Sequence, residues 1–153
     1  MKRFHLTLLA VFAVLAFTTW WQGRPQPLTV TFFDVGQGDS ELVQTPAGQT
    51  VLVDGGPDRG ILQHLGRALP WGTRRIDLVV LSHPHADHVT GLTYVLERYR
   101  VGRVLMTGVV YGTPEYRRFL ELVREQHVPV TVAQAGVTLN LAGGAKLSVL
   151  WPA

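Results

Sequence analysis

The most constraining feature of the sequence is the hexapeptide HPHADH at residues 83–88. It holds three of the six histidines in a chain of 153 residues, together with an aspartate. The preceding run DLVVL at residues 77–81 is typical of a strand that is buried on both faces of a sheet. Helical periodicity begins at Val89. The hexapeptide is therefore predicted to form a strand-to-helix turn, where side chains project from the end of a sheet.

The residue types in this turn predict metal binding. Imidazole nitrogens and carboxylate oxygens are both common zinc ligands. Because alternate residues of an extended segment point the same way, His83 and His85 can reach one ion. Asp87 and His88 begin the next turn and can face a second ion, as in hydrolases that hold two metals about 3.5–4 Å apart. A solvated polar loop is the alternative, and four potential ligands directly after a buried strand argue against it.

The composition is that of a folded domain. Hydrophobic residues make up 46% of the chain and its net charge is only +3, which excludes an intrinsically disordered class. The absence of cysteine excludes disulfides, cysteine-ligated zinc and a thiol nucleophile. Without the basic pair at positions 2–3, twelve basic residues face eleven acidic ones. Net charge alone therefore gives no reason to infer a nucleic-acid partner.

The N-terminal segment predicts a membrane-targeting function. Residues 4–23 carry no formal charge and follow the basic pair at positions 2–3. As a helix they would extend roughly 30 Å, the thickness of a bilayer core. The segment at 1–23 is thus either a signal peptide, for which Ala16 suits cleavage, or a signal anchor, which the tryptophan pair at 20–21 favours. Either interpretation places the remaining chain outside the cytoplasm, membrane-anchored or secreted.

Residues 24–27 contain two prolines and are predicted to be a linker, so the folded domain would cover 28–153. Apolar periodicity in this domain predicts a mixed α/β class. The predicted helices cover residues 61–69, 89–99 and 113–123, the last with Thr113 as N-cap. The predicted strands cover residues 28–33, 41–45, 49–53, 77–81, 101–106, 128–133, 137–141 and 146–150. The last three strands are interpreted as the start of an antiparallel meander.

Three sequence blocks carry a resemblance to a known family. They are FFDVGQGDS at residues 32–40, VLVDGG at 51–56 and LSHPHADH at 81–88. Together they resemble the hydrolase domain of ComEC-type DNA-uptake competence proteins, in the metallo-β-lactamase superfamily with its H-x-H-x-D-H motif. The resemblance implies an αββα sandwich with two divalent metal ions, Zn²⁺ foremost and Mn²⁺ as the alternative. It also implies a metal-dependent hydrolase acting on DNA phosphodiesters, in a domain that follows a transmembrane region.

The same resemblance assigns roles to individual residues. His83 and His85 would bind the first metal ion, and Asp87 and His88 the second. Asp87 would also be the catalytic residue that orients the attacking water. Asp54 would lie beneath the site and orient a ligand histidine. The competing interpretation of Asp54 is an ordinary turn residue before Gly55-Gly56.

Other positions match the family less specifically. Asp39 and Ser40 would lie at the rim of the site, although Asp39 could simply form a turn. Position 90 is threonine where the superfamily often has a glycine, a difference expected to affect helix packing more than metal affinity. Arg98, Arg100 and Arg103 could face a phosphate, but a solvated helix end is the favoured interpretation. The remaining histidines are expected to be bystanders: His5, His64 and His127.

The ligand set implied by the resemblance is incomplete in this sequence. After His88 there is one histidine, His127, and no aspartate, whereas the family has a histidine, a bridging aspartate and a final histidine there. The expectation is therefore the N-terminal half of a sandwich, with the missing half as its partner. Two functions remain open, a metal-dependent hydrolase and a non-catalytic fragment or remnant. A mononuclear iron dioxygenase is a third and weaker alternative.

Overall fold

A mixed sheet of six strands forms the centre of the computed structural model, which describes residues 2–22 and 26–151. The helices in these residues are α1 (Lys2–Gln22), α2 (Ile61–Ala68), α3 (Ala86–Arg98) and α4 (Pro114–Glu125), with a 3-10 turn at Ala142–Gly144. The strands are β1 (Thr29–Phe32), β2 (Glu41–Gln44), β3 (Thr50–Val53), β4 (Arg75–Ile76), β5 (Leu78–Leu81), β6 (Arg100–Val101), β7 (Val104–Met106), β8 (Val130–Val132), β9 (Thr138–Asn140) and β10 (Lys146–Ser148).

The central sheet has the strand order β1-β2-β3-β5-β7-β8. Strands β1, β2 and β3 pair antiparallel, and β3, β5, β7 and β8 pair parallel. Each parallel connection contains one helix, because parallel neighbours need a long crossover. The carboxyl ends of β3, β5 and β7 consequently lie at one edge of the sheet.

The three crossover helices cover one face of the sheet. Leu52 and Val79 from the strands pack with Leu65 of α2, Leu92 of α3 and Phe119 of α4 in one buried cluster. On the opposite face, Val51, Leu78 and Leu105 are buried by the hairpin of β9 and β10. The pattern of a strand buried on both faces, predicted for residues 77–81, is therefore confirmed in β5.

The N-terminal segment forms helix α1, but it does not meet the requirement for a membrane span. Among the described residues, none of the helices is both long enough and apolar enough to cross a bilayer. The transmembrane anchor predicted over residues 4–23 is not supported. Half of the predicted linker, residues 24 and 25, lies outside the described residues.

The structure corrects two predictions in the C-terminal part. Strand β8 does not belong to an antiparallel meander, since it pairs parallel with β7 through Val104 opposite Val130. Only β9 and β10 form an antiparallel pair. Thr113 does occupy the N-cap position of α4, but its side chain makes no capping hydrogen bond within the described chain. The remaining predicted strands and helices are found within a few residues of their predicted ends.

Candidate metal centre

The candidate site lies at the carboxyl edge of the central sheet. Asp54 directly follows β3, and the segment 82–85 directly follows the neighbouring parallel strand β5. Helix α3 begins at Ala86, with His85 in extended conformation as its N-cap residue. Two sequence blocks that are about thirty residues apart are therefore brought to one edge, where ligands commonly bind in sheets of this kind.

The three histidines of the hexapeptide converge at this edge. The ring centroid of His83 lies 4.7 Å from that of His85 and 3.9 Å from that of His88. The carboxylate of Asp87 approaches the same group, with Oδ1 3.9 Å from His88 Nε2. One side-chain oxygen of Asp54 and one nitrogen each of His83 and His88 lie within 4.8 Å of one another. The arrangement gathers the donor types that bind zinc.

Asp54 orients the histidines through a hydrogen-bond network. Its buried carboxylate accepts hydrogen bonds from the Ser82 backbone N–H at 2.8 Å and from the Ser82 hydroxyl. Its Oδ2 also lies 2.8 Å from Nδ1 of His88. Ser82 Oγ in turn lies 2.9 Å from Nδ1 of His83. In the tautomer that satisfies this network, Nδ1–H of His83 donates to Ser82 Oγ and Nδ1–H of His88 donates to Asp54, which leaves Nε2 of each ring as an acceptor.

The position of Asp54 requires an unusual backbone conformation. Its φ of 53° lies in the left-handed region, which typically costs about 1 kcal/mol or more for a residue other than glycine. The surrounding backbone holds it there, since Asp54 N–H donates to Val80 at 2.9 Å. Ser40 donates from its hydroxyl to the Asp54 carbonyl at 3.1 Å. The strained conformation directs the carboxylate beneath the histidines.

The two residues expected at the rim occupy different places. Asp39 is exposed, and its Oδ2 lies 4.0 Å from His88 Nδ1, so it does border the histidine cluster. Ser40 is buried and contacts the backbone of Asp54 from below. The rim position expected for Ser40 is therefore wrong, because its hydroxyl supports the loop that carries Asp54.

Close backbone contacts hold the surrounding loops against α3. A Cβ atom added to Gly38 would lie 1.9 Å from the carbonyl oxygen of Asp87, so only glycine fits at that position. Gln37 of the same loop donates from Nε2 to Asp87 Oδ2 at 3.4 Å. The glycine-rich loop thus both packs on the hexapeptide and contacts its carboxylate.

The site carries an excess of negative charge. Partial burial, together with the nearby carboxylates of Asp39 and Asp54, raises the pKa of Glu41 above its ordinary value. Burial is the main cause of this shift, and the smaller contribution of the two carboxylates reflects a negative local field. Such a field favours cations at the same edge of the sheet.

Sequence reasoning missed three contributors. Ser82 directly precedes the hexapeptide, and Gln37 lies between two glycines of the first matched block. These positions in the sequence could have identified both residues as part of the site. Tyr111, whose ring centroid is 5.5 Å from that of His85, had no such signal because its loop follows a different strand.

The expected bystanders lie elsewhere: His5 is on α1, His64 stacks on Phe33 with ring centroids 5.2 Å apart, and His127 follows α4.

Comparison with known proteins agrees with the fold and the motif. A profile of the metallo-β-lactamase superfamily matches residues 33–146. The chain therefore belongs to the metallo-β-lactamase superfamily. The solved structure of Rm3 metallo-β-lactamase superposes with a TM-score of 0.51 at 20% identity, covering 74% of this chain and 45% of that one.

Two curated relatives agree with the resemblance to competence proteins. Competence protein ComA of Neisseria gonorrhoeae is 35% identical over 117 residues, which are 71% of this chain and 16% of ComA. ComE operon protein 3 of Bacillus subtilis is 25% identical over 134 residues, 73% of this chain and 17% of that protein. The chain thus spans about a sixth of the length of these relatives. The family recognised from the sequence blocks is confirmed.

Proposed function

We propose that this chain provides the metal-binding part of a ComEC-like hydrolase that cleaves phosphodiester bonds, with DNA as the substrate class. The observation that carries the proposal is the convergence of His83, His85 and His88 over a buried carboxylate at the sheet edge. Similarity to two competence-related proteins supports the substrate class. The substrate and the link to DNA uptake belong to the proposal.

The donor set fits divalent metal ions. In the proposal, His83 and His85 hold one ion and Asp87 and His88 a second, with Zn²⁺ as the expected metal and Mn²⁺ as the alternative. A bound ion would lower the pKa of a coordinated water molecule and polarise the scissile bond. The protein's own part is orientation, because Asp54 fixes His88 directly and fixes His83 through Ser82. Asp87, which contacts Gln37, is the residue proposed to orient the attacking water.

The metal part of the proposal is tested by calorimetric titration of the 153-residue chain with Zn²⁺ and Mn²⁺. We expect binding that is weaker than in a complete zinc site, because the hexapeptide provides at most two ligands per ion and catalytic zinc usually has three. The double variant His83→Ala/His85→Ala should lose this binding. The matched control, His64→Ala/His127→Ala, removes two histidines outside the cluster and should bind as the parent does. Equal binding by both double variants would contradict the proposed site.

The hydrolytic part is tested with single-stranded DNA and a small phosphodiester in the presence of Mn²⁺ or Zn²⁺. This sequence has no aspartate after His88 to serve as a bridging ligand, so we expect little activity from the chain alone. Activity that is lost in His85→Ala and Asp87→Ala would establish the hydrolase without further ligands. Metal binding without hydrolysis under any condition would favour the alternative, a non-catalytic fragment or remnant that needs the rest of the sandwich as its partner.

We further propose a location outside the cytoplasm, either secreted or membrane-associated through the segment 1–23. The support is the basic pair at positions 2–3 followed by an uncharged stretch, which is typical of export signals. In cells, added protease should degrade the domain without lysis, and N-terminal sequencing should show whether the segment has been removed. Complete protection of the domain in intact cells would contradict this location.

A further inference from the structure

A cleft lined by arginines lies at the end of the sheet opposite to the metal centre. Strands β4 and β6 pair in parallel, with Arg75 opposite Arg100, just before β5 and β7 begin. Together with Arg74 and Arg98 they line a cleft of about 710 Å³. Backbone pairing fixes this group, since Arg100 N–H donates to the Arg74 carbonyl at 2.9 Å. The backbone positions of Arg74, Arg75 and Arg100 are therefore set by strand pairing.

Three of these four arginines are available to a ligand. Arg75 is engaged by Asp77, with Nε 2.9 Å from Oδ1. Across residues 2–22 and 26–151, no carboxylate forms an ion pair with Arg74, Arg98 or Arg100. The carboxylate that borders the cleft, Glu97, lies 3.3 Å from Arg118 outside it.

The carbonyl groups at the end of helix α3 do not occupy the arginine side chains either. Its last turn leaves carbonyl groups that basic side chains often satisfy. Here Gln126 donates from Nε2 to the Leu96 carbonyl at 2.7 Å, and the Tyr99 N–H donates to Val95 at 2.8 Å. Arg98 can therefore direct its guanidinium group toward a bound anion.

A fully exposed aromatic side chain stands beside the arginines. Trp71, with 103% relative exposure, lines a second cleft that shares Arg74, Arg98 and Tyr99 with the first. Both faces of this ring are accessible to a binding partner. Positive charge and an exposed aromatic ring on one continuous surface are the two elements used to bind single-stranded nucleic acid.

We propose that this surface, formed by Arg74, Arg98, Arg100 and Trp71, binds single-stranded nucleic acid. The guanidinium groups contact successive phosphates, and a base stacks on Trp71. An anionic membrane is the competing partner, but among the residues that line the two clefts Trp71 is the only large hydrophobic side chain that is exposed, which gives little area for insertion into lipid. The surface is remote from the metal centre, so binding here does not require hydrolysis.

The proposal is tested by fluorescence anisotropy of the 153-residue chain with a labelled oligodeoxythymidylate of roughly 20 nucleotides. The variant Arg74→Ala/Arg98→Ala/Arg100→Ala should bind at least about tenfold more weakly at low salt, and its slope of log K against log salt should be about 2 units shallower. Trp71→Ala should bind about fivefold or more weakly, whereas Trp71→Phe should retain most of the affinity.

Matched controls separate this surface from net charge and from the metal centre. The variant Arg103→Ala/Arg117→Ala/Arg124→Ala removes the same charge from other exposed positions and should bind almost as the parent does. The parent chain should also bind fully in EDTA, with no metal ion at the metal centre, even if the proposed hydrolase function fails. Equal losses in the two arginine triple variants would overturn the proposal. It would equally be overturned if the Arg74 triple variant lost binding to phosphatidylserine vesicles and kept its affinity for the oligonucleotide.

Discussion

At the scale of single residues, one carboxylate organises the candidate metal centre. Asp54 accepts two hydrogen bonds from Ser82 and lies 2.8 Å from His88 Nδ1, so its oxygens are occupied by protein partners. A side chain bound in this way is better suited to orient ligands than to be one. The sequence block around Asp54 indicated this role, and the competing interpretation as a simple turn residue does not explain the network.

Asp54→Asn should weaken metal binding without changing the ligand count. The amide Nδ2 cannot accept the proton that a carboxylate oxygen accepts from Ser82 or His88, so one histidine loses its fixed orientation. We expect about a 10- to 100-fold loss of Zn²⁺ affinity by calorimetry, the usual effect of losing a partner that orients a ligand. Asp58→Asn, at an exposed turn, is the control and should bind as the parent does. An unchanged affinity in Asp54→Asn would show that Asp54 does not orient the ligands.

At the scale of secondary-structure elements, the site depends on how closely α3 approaches the loop after β3. Gly55 N–H donates to the His88 carbonyl at 2.8 Å, and Gly91 N–H donates to the Gly56 carbonyl at 3.0 Å. A Cβ atom on Gly91 would lie 1.8 Å from the carbonyl oxygen of Gly55. The helix and the loop are therefore in direct backbone contact, and His88 is positioned by that contact.

Gly91→Ala should destabilise the domain although alanine favours helices in general. The added methyl group would force α3 away from Gly55, an overpacking effect of about 1–3 kcal/mol that should lower Tm by several degrees. The control is Gly66→Ala in α2, where a Cβ would meet no atom within 4 Å. That variant should be as stable as the parent or slightly more stable, because alanine is the better helix former. Equal Tm values for both variants would contradict the proposed close contact.

Asp77 connects β3 and β4 at the other end of the sheet through hydrogen bonds, and its contribution to the free energy of unfolding should depend on pH. It accepts from the backbone N–H of Thr50 at 2.9 Å and from Arg75 at 2.9 Å. Burial alone would raise the pKa of Asp77, but these hydrogen bonds outweigh it and hold the pKa below its usual value. A lowered pKa contributes stability above the unfolded value, near 3.9, and that contribution is lost as the pH falls through the folded value.

Asp77→Asn should therefore cost about 1–2 kcal/mol at neutral pH, the loss expected for hydrogen bonds to a charged group. The difference from the parent should begin to shrink as the pH falls below about 4, where the unfolded chain binds the proton first, and should be lost as the pH falls through the lowered pKa of the folded state. Urea denaturation of both proteins across this pH range measures the difference. A constant difference between neutral pH and about pH 3 would show that the charge of Asp77 is not involved.

The sequence predicted those elements whose apolar pattern extends over several residues. The buried strand β5, the helix α4 and the hairpin of β2 and β3 were found in this way. Strand β4 was missed, and β6 and β7 were predicted as one strand over residues 101–106, because two residues carry no periodicity of their own. The pairing of β8 was wrong because three alternating residues do not reveal their partner strand. For the site, the hexapeptide identified the edge, but Tyr111 reaches His85 only through tertiary structure.

At the scale of the whole molecule, the two ends of the sheet carry opposite charges. Asp39, Asp54 and Asp87 surround the histidine cluster at the carboxyl edge. Arg74, Arg98 and Arg100 line the cleft at the other end. The near-neutral overall balance that argued against a nucleic-acid partner therefore conceals a strong internal asymmetry. Charge counted over a whole sequence cannot show this, since the arginines come together only through the pairing of β4 and β6.

The sheet face opposite the helices is the remaining feature at this scale. The hairpin of β9 and β10 buries the part formed by Val51, Leu78 and Leu105. On the same face Val30 pairs opposite Val43, next to Val51, and the antiparallel register also places Phe32 there. Val30 and Phe32 remain 47% and 76% exposed. Contiguous apolar surface of this kind promotes association, especially next to the edge strand β1.

We therefore expect the purified chain to self-associate through this face. Val30→Thr/Phe32→Ser should lower the weight-average mass in sedimentation equilibrium and reduce the binding of a hydrophobic dye. We expect little change in Tm, because Phe32 is largely exposed and valine to threonine at the half-exposed Val30 conserves the shape of the side chain. Trp71→Ser is the matched control, since it removes an even more exposed ring from the opposite end of the sheet and should leave the mass unchanged. If Trp71→Ser dissociated the assembly and Val30→Thr/Phe32→Ser did not, association would involve the arginine-lined end, and the uncovered β1 face would have no role in it.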